Sequence, residues 1–363
     1  MVNNDKFYTE YIIPPGHTLL EILDDRNMSQ KELAIRTSLT PKHINNIIKG
    51  TASITPDTAL KFETVLETPA SFWLNLESDF QENKARIKAR EKIDSEKNII
   101  KEIPYNDMVK NGWLEAANNI IDKVLNLRMY FKVSSLETLS LTHEVAFRKS
   151  KSFSANDYSL ITWLTESERR AESVTTEDYD RNLLMNVIPE IRKLTLLPFK
   201  ASYPKLTKIC SSVGIALVIT PPINKAHING ATKWLSNNKV MIALSLRGGY
   251  EDIFWFTFFH ELGHVLQEKK NSYFIDSDNE GNELDIIEKE ADDFAINNLV
   301  PKEEFNSIVK SQEYKDLGKL RLFSERNKID LGIIVGRLMK EEHVDFSDMK
   351  FLKFRRKLPK INY

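Results

Sequence analysis

Through residues 1–80 apolar positions recur three and four apart in short runs broken by tight turns, the pattern of several short amphipathic helices. Residues 28–50 read MSQKELAIRTSLTPKHINNIIKG. Here Ser29 and Glu32 predict a capping box, Leu33, Ala34 and Thr37 an apolar stripe, and Thr40-Pro41 the N-cap and first residue of a following helix. Ile44, Ile47 and Ile48 make the inner stripe of that helix, which leaves Lys42, His43, Asn45, Asn46 and Lys49 outside and Gly50 as its stop. Thr18 and Glu21 predict a capping box for an upstream helix, and Thr55-Pro56 the start of a downstream one. This is helix–turn–helix spacing, and the outer face of its second helix holds amide and cationic groups suited to base edges and phosphates. The charged stretch 81–101, free of Pro and Gly, predicts a solvated connecting helix. Helical patterns then dominate to about Leu206. At Gly214 the pattern changes: IALVIT, INGATKWL and KVMIALSL predict short strands, the last two joined by a turn at Ser236-Asn237-Asn238. A strongly apolar helix follows from near Asp252 and a second from near Glu283. The fold class expected is mainly α with a small β-sheet (α+β). An all-α helix–turn–helix domain would occupy 1–80, a helical linker region 81–205 and a C-terminal domain 206–363.

Composition narrows the partners. The 363 residues contain no run of about 18 apolar positions, so no membrane-spanning helix and no membrane partner are expected. The N-terminus resembles neither a signal sequence nor a transit peptide. One cysteine, Cys210, excludes an intramolecular disulfide and a cysteine-cluster metal site, and fits a cytoplasmic location. With a net charge of −1, bulk charge does not draw the chain to nucleic acid. Any DNA contact must come from a local face. Residues 1–80 hold seven Lys and Arg against eleven Asp and Glu, yet Thr37–Ser53 holds Lys42 and Lys49 and no acid. The stretch 350–360 carries six basic residues and reads as a solvated terminus.

The most specific chemistry lies in FHELGHV, residues 259–265. His260 and His264 are four apart and share one helix face, where two imidazoles can bind one Zn²⁺. Glu261 lies beside them, placed to act as general base on water at the metal. A further protein ligand is needed, and EKEADDFAINNLVP, residues 288–301, supplies candidates. At about 100° per residue, Glu288 falls roughly 60° from the centre of the apolar stripe and Glu290 roughly 100° away. Glu288 is therefore the better ligand and Glu290 the alternative. Asp292, one turn after Glu288, can accept the N–H of a ligating histidine. His227 could face the same cleft.

Two resemblances follow from these motifs. SQKELAIRTSLTPKHINNIIKG with ITPDTALKFETVLETPASFWLNLE resembles the HigA-type antitoxin branch of the Xre helix–turn–helix regulators. That resemblance implies DNA contacts from Gln30, Thr40, Lys42, His43 and Asn46, beside Lys49 on the same outer face. H-E-x-x-H followed by E-x-x-A-D-x-F-A and a proline resembles the ImmA/IrrE zinc peptidases, with matching residues His260, Glu261, His264, Glu288, Ala291, Asp292, Phe294, Ala295 and Pro301. AFRKS, from Ala146, and TWLTESERRAES, from Thr162, resemble the region that joins such a peptidase to an antitoxin-like N-terminus. The second resemblance implies a zincin-like C-terminal domain, with the strand near Val240–Ser245 able to pair with a substrate peptide. The combined expectation is a DNA-binding regulator or antitoxin, homodimeric on operator DNA, with a Zn²⁺ peptidase acting on a repressor or a cognate toxin. The alternative is a toxin clamp or ligand sensor that keeps zinc as a structural ion.

Overall fold

The computed structural model describes residues 12–91, 93–139, 155–268, 274–275 and 282–359. AFRKS lies outside them, as does His143. The chain divides into two compact units, Met1–Lys97 and Asn98–Tyr363.

Among the described residues of the first unit, α1 (Pro15–Asp25), α2 (Gln30–Arg36), α3 (Pro41–Ile48), α4 (Pro56–Leu66) and α5 (Ala70–Glu91) surround one apolar core. Leu19, Leu23, Leu33, Ala34, Ile44, Ile47, Phe62 and Trp73 are all buried in it. The α2–α3 turn forms as the sequence predicts: Thr40 Oγ1 accepts the His43 N–H at 3.1 Å, and Pro41 opens α3. Two caps differ from expectation. α1 begins a turn earlier than Thr18, because Pro15 has the fixed φ of a first helical residue and follows an extended Pro14. At α2 only half of the capping box forms. Ser29 Oγ accepts the Glu32 N–H at 3.1 Å, but the Glu32 carboxylate turns to Arg36, one helical turn on, at 2.6 Å.

The second unit is built on a four-stranded sheet of order β1-β3-β2-β4. β1 (Ile215–Ile219) runs parallel to β3 (Val240–Leu244), β2 (Gly230–Trp234) antiparallel to β3, and β4 (Phe274–Ile275) antiparallel to β2. β3 therefore has a partner on each side, and no edge remains on it for a substrate peptide. That corrects the strand-pairing expectation for Val240–Ser245. Between α5 and β1 lie α6 (Ile93–Glu102), α7 (Tyr105–Lys110), α8 (Ile120–Phe131), α9 (Ala155–Glu172), α10 (Arg181–Leu194) and α11 (Phe199–Ser212); α9 and α11 pack on β1.

The centre of the unit is α12 (Glu251–Gln267), packed against β2, β3, α13 (Asn282–Leu299) and α16 (Leu331–Lys340). Phe254, Trp255, Phe258, Phe259, Leu262 and Val265 are buried on it. A helix apolar on nearly every side is one that its neighbours enclose. α14 (Lys302–Lys310) and α15 (Leu317–Asn327) complete the helical layer.

The basic stretch at the C-terminal end is no free tail. Arg355 is buried and grips Asp252 in the first turn of α12, Nη2 to Oδ2 at 2.8 Å and Nε to Oδ1 at 3.2 Å. Its guanidinium lies 4.2 Å from the centre of the Tyr250 ring. Arg356 pairs with Glu251 at 2.8 Å and Asp330 at 3.3 Å. Burial pushes the Asp252 carboxyl up, and the Arg355 hydrogen bonds oppose it. The pair therefore matters more for what its loss exposes than for its own net attraction. Arg355→Met should lower the stability of this unit by about 3–5 kcal/mol, the range for stranding a buried charge. Chemical denaturation checks this, and a loss under about 1 kcal/mol would mean that Asp252 finds water or another donor.

Candidate metal centre

Both histidines project from the one face of α12 that meets α13. Glycine at 263 lets the two helices touch: a Cβ there would stand 3.0 Å from the Ala291 Cα and 3.3 Å from its Cβ. This close approach brings Glu288 of α13 over the histidine pair. Glu288 Oε2 lies 3.2 Å from His260 Nε2 and 3.4 Å from His264 Nε2, and the two Nε2 atoms are 3.1 Å apart. Among the described residues this is the single group of His, Cys or carboxylate ligands that converges on one point.

The outer nitrogens show where the protons sit. His260 Nδ1 is 2.8 Å from Asp292 Oδ1, an atom that only accepts from a neighbouring N–H when the carboxylate is ionised. His264 Nδ1 is 3.0 Å from Gln267 Oε1. The Gln267 amide has its NH₂ committed elsewhere, donating to the Ile287 carbonyl at 2.8 Å and Glu290 Oε2 at 3.3 Å, so its oxygen faces the imidazole. Both Nδ1 atoms are therefore donors. In neutral rings both Nε2 atoms then present lone pairs, and Glu288 adds a third acceptor at the same point. Three acceptors so close would repel one another unless a proton or a metal cation stood among them, and two imidazoles with a carboxylate are a donor set suited to zinc.

The electrostatics agree. Burial opposes a charge on His260, but hydrogen bonds to Asp292 and Glu288 and the nearby Glu261 carboxylate outweigh it, and the imidazole is pushed up to about 10. Burial alone would raise Glu288, yet the hydrogen bonds from His260 and His264 bring it down to about 2. The cluster thus favours a positive charge at the point where its three side chains meet.

Glu261 is wholly buried and points from α12 toward β2, where Thr232 Oγ1 donates to its Oε2 at 2.6 Å. The sequence-predicted residues thus fall into distinct places. His260, His264 and Glu288 converge, Asp292 backs His260, and Glu261 lies beside the cluster on the strand side. Glu290 is exposed and reaches Gln267, not the histidines; His227 is exposed and outside the cluster. Sequence reasoning misses Gln267, although its position three after His264 puts it on the same helix face. In the first unit Lys42, Lys49 and Thr40 are exposed on or before α3, and Gln30, His43 and Asn46 are half-buried.

A helix–turn–helix unit and a unit with a His–His–Glu cluster on paired helices define a two-part regulator architecture. Comparison with known proteins gives the families. Residues 19–73 match the helix-turn-helix family, and residues 218–327 match the M78 peptidase family, described as an IrrE N-terminal-like domain. Over 64 residues the chain is 33% identical to an uncharacterized HTH-type transcriptional regulator, YddM, of Escherichia coli K12, covering 18% of this chain and 68% of that one. The chain belongs to the helix–turn–helix regulators through this N-terminal part, and carries an IrrE-like M78 domain behind it. Among solved structures, a HigA-family addiction-module antidote protein from Coxiella burnetii is 34% identical (23% of this chain, 92% of that one, TM-score 0.21). The Pseudomonas aeruginosa antitoxin HigA with its higBA promoter is 28% identical (24% and 95%, TM-score 0.22). No helix among the described residues is long and apolar enough to cross a membrane.

Two measurements follow from the geometry. Zinc analysis should find about one ion per chain, lost in His260→Ala and Glu288→Ala and kept in Glu290→Ala. With His260 raised to about 10, the metal-free site carries its proton at pH 8, and zinc must displace it. Adding Zn²⁺ in weak buffer at that pH should release about one proton per chain. Uptake without proton release would mean that His260 is already neutral.

Proposed function

We propose that this protein is a DNA-binding regulator whose second unit is a zinc-dependent peptidase, with proteolysis coupled to transcriptional control or toxin neutralisation. The observation that carries the enzymatic half is the donor set itself. Three protein ligands would leave a coordination position open, and the buried Glu261 carboxylate lies near His260, whereas a purely structural site closes its fourth position with another side chain. Zinc bound there would supply Lewis acidity and make water a nucleophile at neutral pH. His260, His264 and Glu288 would hold the ion, and Asp292 would fix the His260 ring through its Nδ1–H. Glu261 would take a proton from the attacking water and return it to the leaving amine.

The regulatory half rests on α3. Its exposed face carries cations and amides without an acid, on a unit that is otherwise acidic. Gln30, Thr40, Lys42, His43, Asn46 and Lys49 are proposed to meet operator DNA, with two copies of the chain on a two-fold-related site. A repressor, a cognate toxin or the chain itself is the proposed target of cleavage.

Glu261→Gln tests the enzyme, because a neutral amide of the same shape keeps the ligands and removes the base. The full-length variant should retain zinc and DNA binding while an uncleaved target accumulates in cells. Intact wild-type behaviour of Glu261→Gln, in both promoter activity and target integrity, would leave zinc as a structural or regulatory ion. For DNA, Lys42→Ala with Lys49→Ala should weaken binding to the protein's own promoter region across sequences. It should also reduce the slope of log affinity against log salt by about 2, since each phosphate that a lysine neutralises adds roughly 0.9 to that slope. Asn46→Ala should change base preference instead. Unchanged binding in all three variants would remove α3 as the reading helix.

A further inference from the structure

A buried carboxylate that must face one particular water needs its rotamer fixed, and for Glu261 the neighbouring strand β2 does so in two ways. Thr232 Oγ1 lies 2.6 Å from Glu261 Oε2, a distance typical of a hydroxyl donating to an ionised carboxylate. The same hydroxyl is 3.1 Å from the Glu261 carbonyl oxygen, so it lies against both the side chain and the backbone of this residue. Two positions back, on the same face of the strand, is Gly230. A Cβ on Gly230 would stand 2.5 Å from Glu261 Oε1, 2.8 Å from its Cγ and 2.8 Å from Thr257 Cγ2. The backbone at 230 is not in the left-handed region, so the chain path does not demand glycine there. The space does: the Glu261 carboxylate occupies the volume that a side chain at 230 would fill.

Resting on the peptidase reading above, we infer that Thr232 and Gly230 are positioning residues for the general base, one holding an oxygen of Glu261 by hydrogen bond and the other leaving room for its carboxylate. The strand suits the task. Thr232 is registered with Ile242 of β3 on one side and Phe274 of β4 on the other, which fixes its backbone. Its β-branched side chain has few χ1 choices. Neither residue touches His260, His264 or Glu288 through any of these contacts, so their effect on the ion should differ in kind from that of Asp292.

The test uses full-length protein and Co²⁺ as the probe, because the visible absorption of this ion reports both its ligands and what occupies the open position. Thr232→Val keeps the shape and removes the hydroxyl. Its Co²⁺ affinity should stay within about threefold of wild type, against the 10–100-fold loss typical when a group that holds a metal ligand is removed, as in Asp292→Ala. Its visible spectrum should shift as that of Glu261→Gln does, and Thr232→Ser should restore the wild-type spectrum. Gly230→Ala, which displaces the carboxylate without touching the hydroxyl, should give the same shift. Thermal unfolding of the metal-free variants identifies any that fail to fold, and Thr232→Ser and Gly230→Ala then carry the test. If Glu261→Gln shifts the spectrum but Thr232→Val and Gly230→Ala both leave it as in wild type, the positioning role is overturned and the peptidase reading stands. A wild-type protein that binds no Co²⁺ overturns both, and a spectrum unmoved by Glu261→Gln means that this carboxylate does not face the ion's open position, which overturns the positioning role.

Discussion

His260 Nε2, His264 Nε2 and Glu288 Oε2 converge on one point of the second unit, within 3.1, 3.2 and 3.4 Å of one another. Acceptors at this separation repel unless a proton or a metal cation stands among them, and the architecture around α12 brings them to that point. The four-residue spacing aligns the imidazoles. Gly263 opposite Ala291 lets α13 come near enough for Glu288 to reach them. Asp292 and Gln267 hold the far nitrogens as donors, which turns both Nε2 atoms inward.

Such a site costs stability, and the fold offsets it on the other faces of α12. The aromatic residues Phe254, Trp255, Phe258 and Phe259 are buried among the sheet and neighbouring helices. At about 25 cal/mol per Å² of apolar surface, burial of this kind contributes several kcal/mol for a few large side chains. The start of the helix is tied by charge. Asp252 and Glu251 lie at its N-terminus, where the helix dipole favours anions, and each is gripped by an arginine from near the C-terminal end of the chain. The stretch around Arg355 thus secures the helix that carries the histidines, by a contact about a hundred residues long in sequence.

What the sequence makes legible is whatever lies within a turn or two of helix. The His260–His264 pair, the choice of Glu288 over Glu290 as the carboxylate near them, and Thr40-Pro41 as the start of α3 all follow from local spacing. The contacts that escape are those made across elements. Thr232 and Gly230 belong to an ordinary-looking strand, and nothing in INGATKWL points to a carboxylate on a helix about thirty residues later. The basic stretch at 350–360 reads as solvated because its partners, Glu251 and Asp252, are far away in sequence. β3 looks like a docking edge until the register places β1 and β2 on its two sides. The capping box at Ser29 is half wrong for a local reason: Glu32 has a choice of partners, and Arg36 one turn on attracts its carboxylate more than a backbone N–H does.

The central claim is that His260, His264 and Glu288 form one zinc site with an open position. Anomalous diffraction at the zinc edge, from crystals of the purified protein, tests it most directly. The account predicts one peak per chain, about 2.0–2.2 Å from His260 Nε2, His264 Nε2 and a Glu288 carboxylate oxygen, with no fourth protein ligand. A peak bound by a fourth side chain would contradict the open site, and full zinc occupancy at any other place in the chain would contradict the site itself.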